Sequence, residues 1–347
     1  MACPPDGPSG ANLPAALLAC IAVRAALAVL VALALAGCGS TTGGDRPGSE
    51  ATLLLDFQPN AVHAGLYLAT ARTYDEAEGV ELEIRAPGQS TDALKQLEAG
   101  RADMAILDIH DLGLAREQGH DIVGVMAFVQ RPLAAVLAQP SIRSPKDLEG
   151  ERAGVTGLPS DDAVLASIVA GDGGDPDKVR STTIGFQAVK ALLAGRVAGA
   201  TAFWNAEGVA LRRERPEMRE FRVDDYGAPA YPELVLCVTR ATLEDDAPTI
   251  RATIRALQRG YGEAQRDPES AVAAMREAEP RLDREALAAE LDAVDEAFTA
   301  GARAFGQLKP DVLREWADWD VEFGILEEPP DIERAFDTSL VGPVPSS

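Results

Sequence analysis

Cysteine is scarce in this chain of 347 residues. Three of its four cysteines lie before residue 39, so Cys237 is the one that remains in the rest of the chain. A single cysteine can form neither an intramolecular disulfide nor a cysteine-based metal site. Cys237 lies in an apolar run from Leu234 to Val238, and we therefore expect a buried, unreactive thiol.

Basic and aromatic residues are also few. Lys and Arg number 32 against 55 Asp and Glu, which gives a net charge of −23, and aromatic residues make up 5% of the chain. This excess of negative charge argues against nucleic-acid binding and against a basic membrane-binding surface. Hydrophobic residues at 46% are typical of a soluble globular protein, and the length suffices for two lobes of ordinary size.

The first 50 residues have the composition of an export segment rather than of a folded domain. Residues 15–36 are apolar apart from Arg24, and the run ends in the sequence LAGC at Cys38. A short apolar run followed by small residues is typical of a signal peptide. A membrane-spanning anchor is the alternative, because the run could just span a bilayer. The LAGC ending resembles the bacterial lipobox, which implies lipidation of Cys38. We predict a signal peptide at 1–38, a flexible tether at 39–50, and a protein lipid-anchored to the outer face of the cell membrane.

From residue 51 onward, strand and helix patterns alternate, which predicts mainly parallel sheets covered by helices on both faces, an α/β fold. The apolar pattern breaks near residue 140, and a second series begins at Ser144. After residue 239 the chain is predicted to be nearly all helical. The predicted strands are 52–57, 80–86, 102–108, 122–129, 133–138, 152–156, 180–184, 197–203, 220–224 and 234–239. The predicted helices are 61–77, 91–99, 109–118, 160–170, 187–194, 205–214, 246–266, 268–278, 284–302 and 309–321.

The two series contain an internal repeat. Residues 93–106 and 188–201 each show a helix, a closing glycine (Gly100 or Gly195) and a strand. This repeat predicts two similarly built lobes. In open parallel sheets, ligands bind beyond the carboxyl ends of the strands. We therefore expect a site walled on one side by Asp108 and His110, and on the other by Trp204, Asn205 and Glu207.

The first strand and the helix after it contribute the next predicted part of the site. The apolar run 53–55 ends at Pro59 and Asn60, where proline stops strand pairing and asparagine is a favoured helix cap. Backbone N–H groups at the helix start would face the tip of the sheet. We expect Phe57, Asn60, His63 and Tyr67 to cluster there. A capped helix with core aromatics, and His63 as a packing residue, is the alternative.

Four segments together resemble the solute-binding proteins of bacterial ABC importers. They are FQPN…HAGLY from Phe57 to Tyr67, the Gly88-Gln89-Ser90 turn, AGRAD at 99–103 and SPKDLEG at 144–150. The resemblance covers about residues 51–300, and it is to the class that handles sulfonates, nitrate and thiamin pyrimidine precursors. Within that class, FWNAEG at 203–208 resembles the thiamin-pyrimidine-precursor branch.

The resemblance implies a two-lobed periplasmic-binding-protein fold of the type with two interlobe crossings, near Ala138–Ile142 and Pro232–Cys237. Lobe 1 would comprise 51–138 and 237–345 with the C-terminal helices, and lobe 2 would comprise 139–236. The protein would be a non-catalytic monomer without a cofactor or metal that delivers its ligand to ABC permease and ATPase subunits. The predicted ligand-binding residues are Phe57, Asn60, His63, Tyr67, Gln89, Ser90, Asp108, His110, Trp204, Asn205, Glu207, Tyr231 and Glu233.

The chemistry of these residues favours a small, flat ring that bears nitrogen. Trp204 is predicted to stack on such a ring. Asp108 and Glu207 are acceptors suited to ring amino groups, and they would repel an anion. The leading ligand is a thiamin-type pyrimidine precursor, and a flavin is the main rival. Tyr231 and Glu233 flank Pro232 at the second crossing, where a role in a hinge alone is the alternative.

The same branch includes the fungal thiamin-pyrimidine synthases, which gives an enzyme alternative. In those enzymes a histidine at the position of His110 is consumed as substrate, and a lysine one helical turn earlier binds pyridoxal phosphate. Here that position is Ile106, and the cysteine-rich segment of the synthases is reduced to Cys237. Without the Schiff-base amine and the extra thiols, the sequence favours a binding protein over an enzyme.

Overall fold

The computed structural model describes residues 48–87, 93–158 and 160–342. In these residues the chain forms two five-stranded sheets and a set of helices that cover them. The strands are β1 (Ser49–Leu54), β2 (Val80–Arg85), β3 (Met104–Asp108), β4 (Ile122–Ala127), β5 (Ala134–Ala138), β6 (Arg152–Val155), β7 (Arg180–Thr183), β8 (Gly199–Phe203), β9 (Arg219–Arg222) and β10 (Leu234–Thr239). Every predicted strand is confirmed, within three residues at each end.

The helices follow the predicted positions with small differences. They are α1 (Ala64–Ala71), α2 (Tyr74–Glu78), α3 (Ala93–Glu98), α4 (Ile109–Glu117), α5 (Asp161–Gly171), α6 (Ala188–Leu193), α7 (Glu207–Glu214), α8 (Arg240–Asp245), α9 (Ala247–Arg266), α10 (Pro268–Ala278), α11 (Arg284–Thr299), α12 (Pro310–Glu322) and α13 (Ile332–Ala335). The single helix expected at 61–77 is interrupted, because Thr73 adopts a left-handed backbone conformation with φ 51°. A 3-10 turn at Ala61–His63 precedes α1.

The two sheets share one topology. The first has the order β2-β1-β3-β10-β4, and the second has the order β7-β6-β8-β5-β9. In each, three parallel strands are followed by one antiparallel strand, β10 or β5, that pairs with neighbours on both sides. The predicted repeat is confirmed in its details, since Gly100 and Gly195 both have φ 64° immediately before the strand segment. Four of the five strands in each sheet run in the same direction, so the sheets are mainly parallel, as predicted. The fifth strand, β10 or β5, enters from the other sheet and runs antiparallel to both neighbours.

The chain crosses between the sheets twice, and the first crossing lies earlier than expected. β5 pairs with β8 and β9, so residues 134–138 belong to the second sheet and the crossing occupies 128–133. The predicted crossing at Ala138–Ile142, and with it the lobe boundary at residue 138, is therefore wrong. In the sequence, the apolar run at 133–138 continues the first series without a break. Only its pairing with β8 and β9 assigns this strand to the second sheet. The second crossing ends where β10 starts at Leu234, inside the predicted segment.

The described helices after β10 pack against the first sheet and its helices. α9 lies along α1, and its Tyr261 hydroxyl donates to the carbonyl oxygen of Val62 at 2.6 Å. Trp316 and Trp319 of α12 are buried, as expected of packing residues. Cys237 is confirmed as a buried free thiol whose pKa burial raises. None of the described helices has the length and apolarity needed to cross a bilayer. The predicted signal peptide, the lipid site Cys38 and most of the tether lie outside the described residues.

Candidate functional site

A cavity of about 110 Å³ lies between the two sheets, at the carboxyl ends of their parallel strands. On the first sheet it is lined by residues that follow β1 and β3, and on the second by residues that follow β6, β7 and β8. We call these sides the first wall and the second wall. The functional side chains of the first wall are Asp56, Phe57, Asn60, Asp108, His110 and Glu233. Those of the second wall are Thr156, Asp161, Phe186, Thr201 and Glu207.

The cavity is acidic. Among the described residues that line it there is no lysine or arginine. Its carboxyl side chains are Asp56, Asp108, Asp111, Asp161, Glu207 and Glu233. A site with this lining is suited to N–H donors and cations, and it opposes a small anion at close range.

The turn after β1 fixes Asp56 through His63. The His63 ring is fully buried, and its Nδ1 accepts a hydrogen bond from the Asn60 N–H at 3.2 Å. Its Nε2 therefore carries the proton and donates to Asp56 Oδ1 at 2.8 Å. The Asn60 side chain in turn accepts from the Val62 N–H, which caps the 3-10 turn. His63 is thus a residue that orients Asp56, one layer behind the cavity.

His110 is the centre of a buried network that joins the first wall to the C-terminal helices. Its Nδ1 lies 2.9 Å from Asp320 Oδ2 on α12, and its Nε2 lies 3.2 Å from the Tyr231 hydroxyl. Burial by itself lowers the pKa of His110, but the carboxylates of Asp320 and Asp108 outweigh it and raise the pKa to about 10. This pKa makes the imidazole a cation at neutral pH, and the indole N–H of Trp316 also lies 3.2 Å from Nδ1.

Asp108 and Glu233 complete the first wall. Asp108 caps α4 by accepting from the His110 N–H at 2.8 Å. Glu233 Oε2 accepts from the N–H groups of Leu133 and Ala134 at 2.6 and 3.0 Å, so it ties the second crossing to the first. Burial raises the pKa of both Asp108 and Glu233 above its ordinary value, while the charge of His110 opposes this rise. The pair therefore keeps a proton to higher pH than isolated carboxyl groups do.

Asp108, His110 and Glu233 are also the described group in which ligand atoms lie close enough together, within 4.8 Å, for a metal ion. A histidine ligates a metal through a deprotonated nitrogen. Here Nδ1 is contacted by Asp320 and by the Trp316 indole N–H, and Nε2 by the Tyr231 hydroxyl, so both nitrogens already have partners within the protein. These residues therefore do not fit a metal site.

On the second wall, the polar groups are held by partners close in sequence. Asp161 Oδ2 accepts from the Thr156 hydroxyl and from the N–H groups of Gly157 and Leu158, at 2.5 to 3.1 Å. Glu207 Oε2 accepts from the Phe203 N–H at 3.3 Å, and burial raises its pKa. Asp111 faces Asp161, and burial raises its pKa to about 6.

Two phenylalanine rings meet across the cavity. Phe57 follows β1 and Phe186 follows β7, and their centroids lie 4.7 Å apart at an interplanar angle of 70°. Phe186 is 38% exposed, the highest value for any large hydrophobic side chain among the described residues. The pair supplies aromatic surface from both walls at the cavity rim.

The structure places Trp204 in the core rather than in the cavity, which corrects the expectation that it stacks on a ligand. The Trp204 side chain is buried, and its Nε1–H donates to the carbonyl oxygen of Pro132 at 2.9 Å. The guanidinium of Arg222 lies 4.1 Å from its ring centroid and covers one face. The ring therefore holds the first crossing, and Phe57 and Phe186 provide the aromatic surface instead.

The other predicted site residues fall into three groups. Phe57, Asn60, Asp108, His110, Glu207 and Glu233 line the cavity, and His63 and Tyr231 support it from behind. Tyr67 and Asn205 do not line the cavity. The Tyr67 hydroxyl lies 3.5 Å from Glu279 Oε1, and the Asn205 side chain is buried. Gln89 and Ser90 lie outside the described residues, so their role stays a prediction.

Sequence analysis missed Asp56, Asp111, Asp161, Phe186 and Asp320. Asp56 stands next to the quoted Phe57 motif, and Asp161 opens α5 just after β6, so the rule that sites form at strand ends could have found both. Phe186 also follows a strand end, that of β7, whereas Asp320 carries no such signal because it lies in an amphipathic helix.

Comparison with known proteins identifies the family. The model of the NMT1/THI5-like family matches residues 60–271. This chain belongs to that family. It is 33% identical over 248 residues, 70% of this chain and 75% of the relative, to the formylaminopyrimidine-binding protein of Halalkalibacterium halodurans. It is 25% identical over 306 residues, 84% of this chain and 86% of the relative, to a riboflavin-binding protein of Chloroflexus aurantiacus.

Other members of the family are enzymes by name. A 4-amino-5-hydroxymethyl-2-methylpyrimidine phosphate synthase of Legionella pneumophila is 23% identical over 312 residues, 86% of this chain and 94% of that relative. Among solved structures, the alkanesulfonate-binding protein of Xanthomonas axonopodis superposes with a TM-score of 0.66 at 15% identity, over 83% of this chain and 98% of that one. The chain thus has the family and the fold of the solute-binding proteins of ABC importers, as predicted.

Proposed function

We propose that this NMT1/THI5-like protein captures a small amino-substituted heteroaromatic ring, of the thiamin-pyrimidine type, in the cavity between its two sheets. The observation that carries the proposal is the lining of that cavity: carboxyl groups on both walls, and no lysine or arginine among the described lining residues. Ring amino groups donate to carboxylates, and the aromatic pair of Phe57 and Phe186 offers apolar surface to the ring faces.

The same lining argues against the anions named in the titles of the structural neighbours. A sulfonate or nitrate would enter a space bordered by the carboxyl groups of Asp108, Glu207 and Glu233, where no lysine or arginine of the described lining can pair with its charge. The cation of His110 is held by Asp320 on the side away from the cavity. Similarity in fold to sulfonate-binding proteins therefore does not extend to their ligand.

Two observations support binding rather than catalysis. Ile106 lines the cavity at the position where the fungal synthases hold the lysine that binds pyridoxal phosphate, and an isoleucine has no amine for a Schiff base. His110, at the position of the histidine consumed in those enzymes, is 1% exposed and engaged at both nitrogens. Both residues are therefore unsuited to that reaction.

A flavin is the second candidate ligand, favoured by the relative named as a riboflavin-binding protein. Its ring system also rewards aromatic and N–H contacts. An isoalloxazine is larger than a pyrimidine, and the cavity of about 110 Å³ favours the smaller ring.

The rest of the proposal concerns location and partners. The lipobox-like ending at Cys38 supports an exported protein that is anchored by lipid to the outer face of the membrane and hands its ligand to an ABC permease. Metabolic labelling with a fatty acid should mark the wild type but not Cys38→Ser. Equal labelling of both would contradict the lipid anchor.

Native mass spectrometry of the purified protein tests the binding function. We expect a bound species with the mass of an aminopyrimidine, and a melting temperature that rises when 4-amino-5-hydroxymethyl-2-methylpyrimidine is added. A ligand at a hundredfold excess over Kd stabilises by about 2.7 kcal/mol. The ligand should be recovered unchanged, and the mass of the peptide containing His110 should stay intact. Turnover, or loss of His110 mass, would contradict a pure binding role. A yellow protein that carries a flavin would favour the second candidate.

A further inference from the structure

A second, outer pocket of about 240 Å³ adjoins the cavity and shares part of its wall. Phe57, Asn60, Phe186, Ala206 and Glu207 line both spaces. The contacting rings of Phe57 and Phe186 thus stand between an inner chamber and an outer one. A ligand whose ring occupies the inner cavity could extend past this aromatic pair.

The outer pocket lies between α7 of the second sheet and α11 of the C-terminal helices. α11 contributes Leu287 and Glu290, and the turn before it contributes Leu282. The lining combines apolar side chains with the carboxyl groups of Glu207, Asp283 and Glu290. The Oε2 atom of Glu290 accepts from the Ala61 N–H at 3.3 Å, which directs this carboxyl group toward the loop that carries Phe57.

The charges around Glu290 leave it with negative neighbours on the pocket side. Burial, together with the charge of Glu207, raises the pKa of Glu290 to about 7. The Ala61 N–H and the charge of Arg213 act against this rise. The guanidinium of Arg213 lies at the edge of the pocket, 3.8 Å from Oδ1 of the lining residue Asp283 and 3.6 Å from Glu285 Oε2. A positive group in the outer pocket would therefore relieve the repulsion between Glu207 and Glu290.

We propose that the outer pocket is a second subsite, and that the ligand is an aminopyrimidine joined to a cationic second group that lies between Glu207 and Glu290. This inference rests on the proposed function, because it assumes that the inner cavity holds the aminopyrimidine. It narrows the ligand class from a single ring to a two-part molecule. The aromatic pair would pack against the junction of the two parts, where apolar surface is useful on both sides.

Isothermal titration calorimetry with two probes tests the inference. The first probe is 4-amino-5-hydroxymethyl-2-methylpyrimidine, and the second is thiamin, which carries the same kind of aminopyrimidine on a thiazolium cation. For the wild type at about pH 8 we expect thiamin to bind at least about tenfold more tightly than the pyrimidine alone. Glu290→Gln should remove most of this advantage and leave binding of the pyrimidine within about twofold.

Glu296→Gln is the matched control, since it makes the same change on an exposed residue of the same helix. It should alter neither affinity. Lowering the pH below about 7 should reduce the thiamin advantage in the wild type, because Glu290 then gains a proton, and should not reduce it further in Glu290→Gln. If thiamin binds no more tightly than the pyrimidine, or if Glu290→Gln keeps the full advantage, the second subsite is wrong while the inner site stands. If neither probe binds, the proposed function fails first.

Discussion

On the first wall of the cavity, His110 and Glu233 are held by partners far away in the chain, whereas the polar groups of the second wall rely mainly on close neighbours. His110 is joined to Asp320, 210 residues later, and Glu233 to backbone N–H groups about a hundred residues earlier. On the second wall, Asp161 and Glu207 accept mainly from groups three to five residues away, and the one distant donor among the described residues is the Thr201 hydroxyl, 3.4 Å from Asp161 Oδ1. The first wall is therefore part of the folding core, and the second is a set of locally ordered loops and helix starts.

This difference predicts that substitutions on the first wall affect mainly the stability of the protein, and that substitutions on the second wall affect mainly ligand binding. Loss of a first-wall partner leaves a buried charge or polar atom without compensation and should reduce the free energy of unfolding. Loss of a second-wall side chain exposes groups that local backbone and water can satisfy, so it should act mainly on affinity. The predictions that follow test this separation, beginning with the largest effect.

The first prediction concerns the most distant partner. Asp320→Ala should lower the free energy of unfolding by about 3–5 kcal/mol, because it leaves the His110 cation buried without its carboxylate. Chemical denaturation measures this loss. Glu315→Ala, an exposed change on the same helix, is the control and should have little effect. A small effect of Asp320→Ala would show that the first wall is not tied to the core as described.

The second prediction is a pH dependence carried by the same pair. The folded pKa of His110, about 10, lies above the ordinary value of 6.5. Its stabilisation is therefore complete below about pH 6.5 and is lost as the pH rises through about 10. With three histidines in the chain, the imidazole titration can be followed by NMR. We expect a high His110 pKa in the wild type and a lower one in Asp320→Asn, which should also show a smaller loss of stability at alkaline pH. An ordinary His110 pKa in the wild type would contradict the ion pair.

The third prediction tests the second wall. Glu207→Gln should weaken binding of 4-amino-5-hydroxymethyl-2-methylpyrimidine by about 1–3 kcal/mol, because the ring amino group loses a carboxyl acceptor. The melting temperature should change little, since burial already disfavours the charged form of Glu207. Glu214→Gln, at the exposed end of the same helix, should leave both quantities unchanged. A large loss of stability without a loss of affinity would reverse the comparison of the walls.

The fourth and smallest effect concerns the aromatic surface. Phe186→Ala should weaken binding of the same pyrimidine by about 0.5–1.5 kcal/mol and cost little stability, because the ring is partly exposed. Trp204→Phe is the contrasting variant: it removes the hydrogen bond to Pro132 and should lower stability while affinity stays the same. If Trp204→Phe weakens binding more than Phe186→Ala does, the ligand lies elsewhere.

The same contrast explains which features could be predicted from the sequence. Local apolar periodicity and glycine positions determine the strands, the helix ends and the two-fold repeat. The sequence therefore predicts these features. The sequence also predicts Asp108 and His110 at the end of β3, because ligand sites in parallel sheets form at strand ends. Glu233 is predicted from its place beside Pro232 at the second crossing.

What the sequence did not predict depends on contacts between distant segments. Whether β5 belongs to the first or the second sheet is decided by its pairing with β8 and β9. The polar neighbours of Trp204 in the sequence predict a contact with the ligand. In the structure, one face of the Trp204 ring is covered by Arg222, which lies on another strand. Asp320 in an amphipathic helix resembles an ordinary surface carboxylate until its contact with His110 is seen.

The central claim is that a cavity lined with carboxylates selects an amino-bearing ring and rejects anions. Calorimetric titration of the wild-type protein with 4-amino-5-hydroxymethyl-2-methylpyrimidine, taurine and nitrate, under one buffer condition, tests it most directly. We predict heat of binding for the pyrimidine and none for taurine or nitrate, because the described lining offers an anion carboxyl groups and no lysine or arginine to pair with. Tight binding of taurine or nitrate, with no binding of the pyrimidine, would contradict the claim.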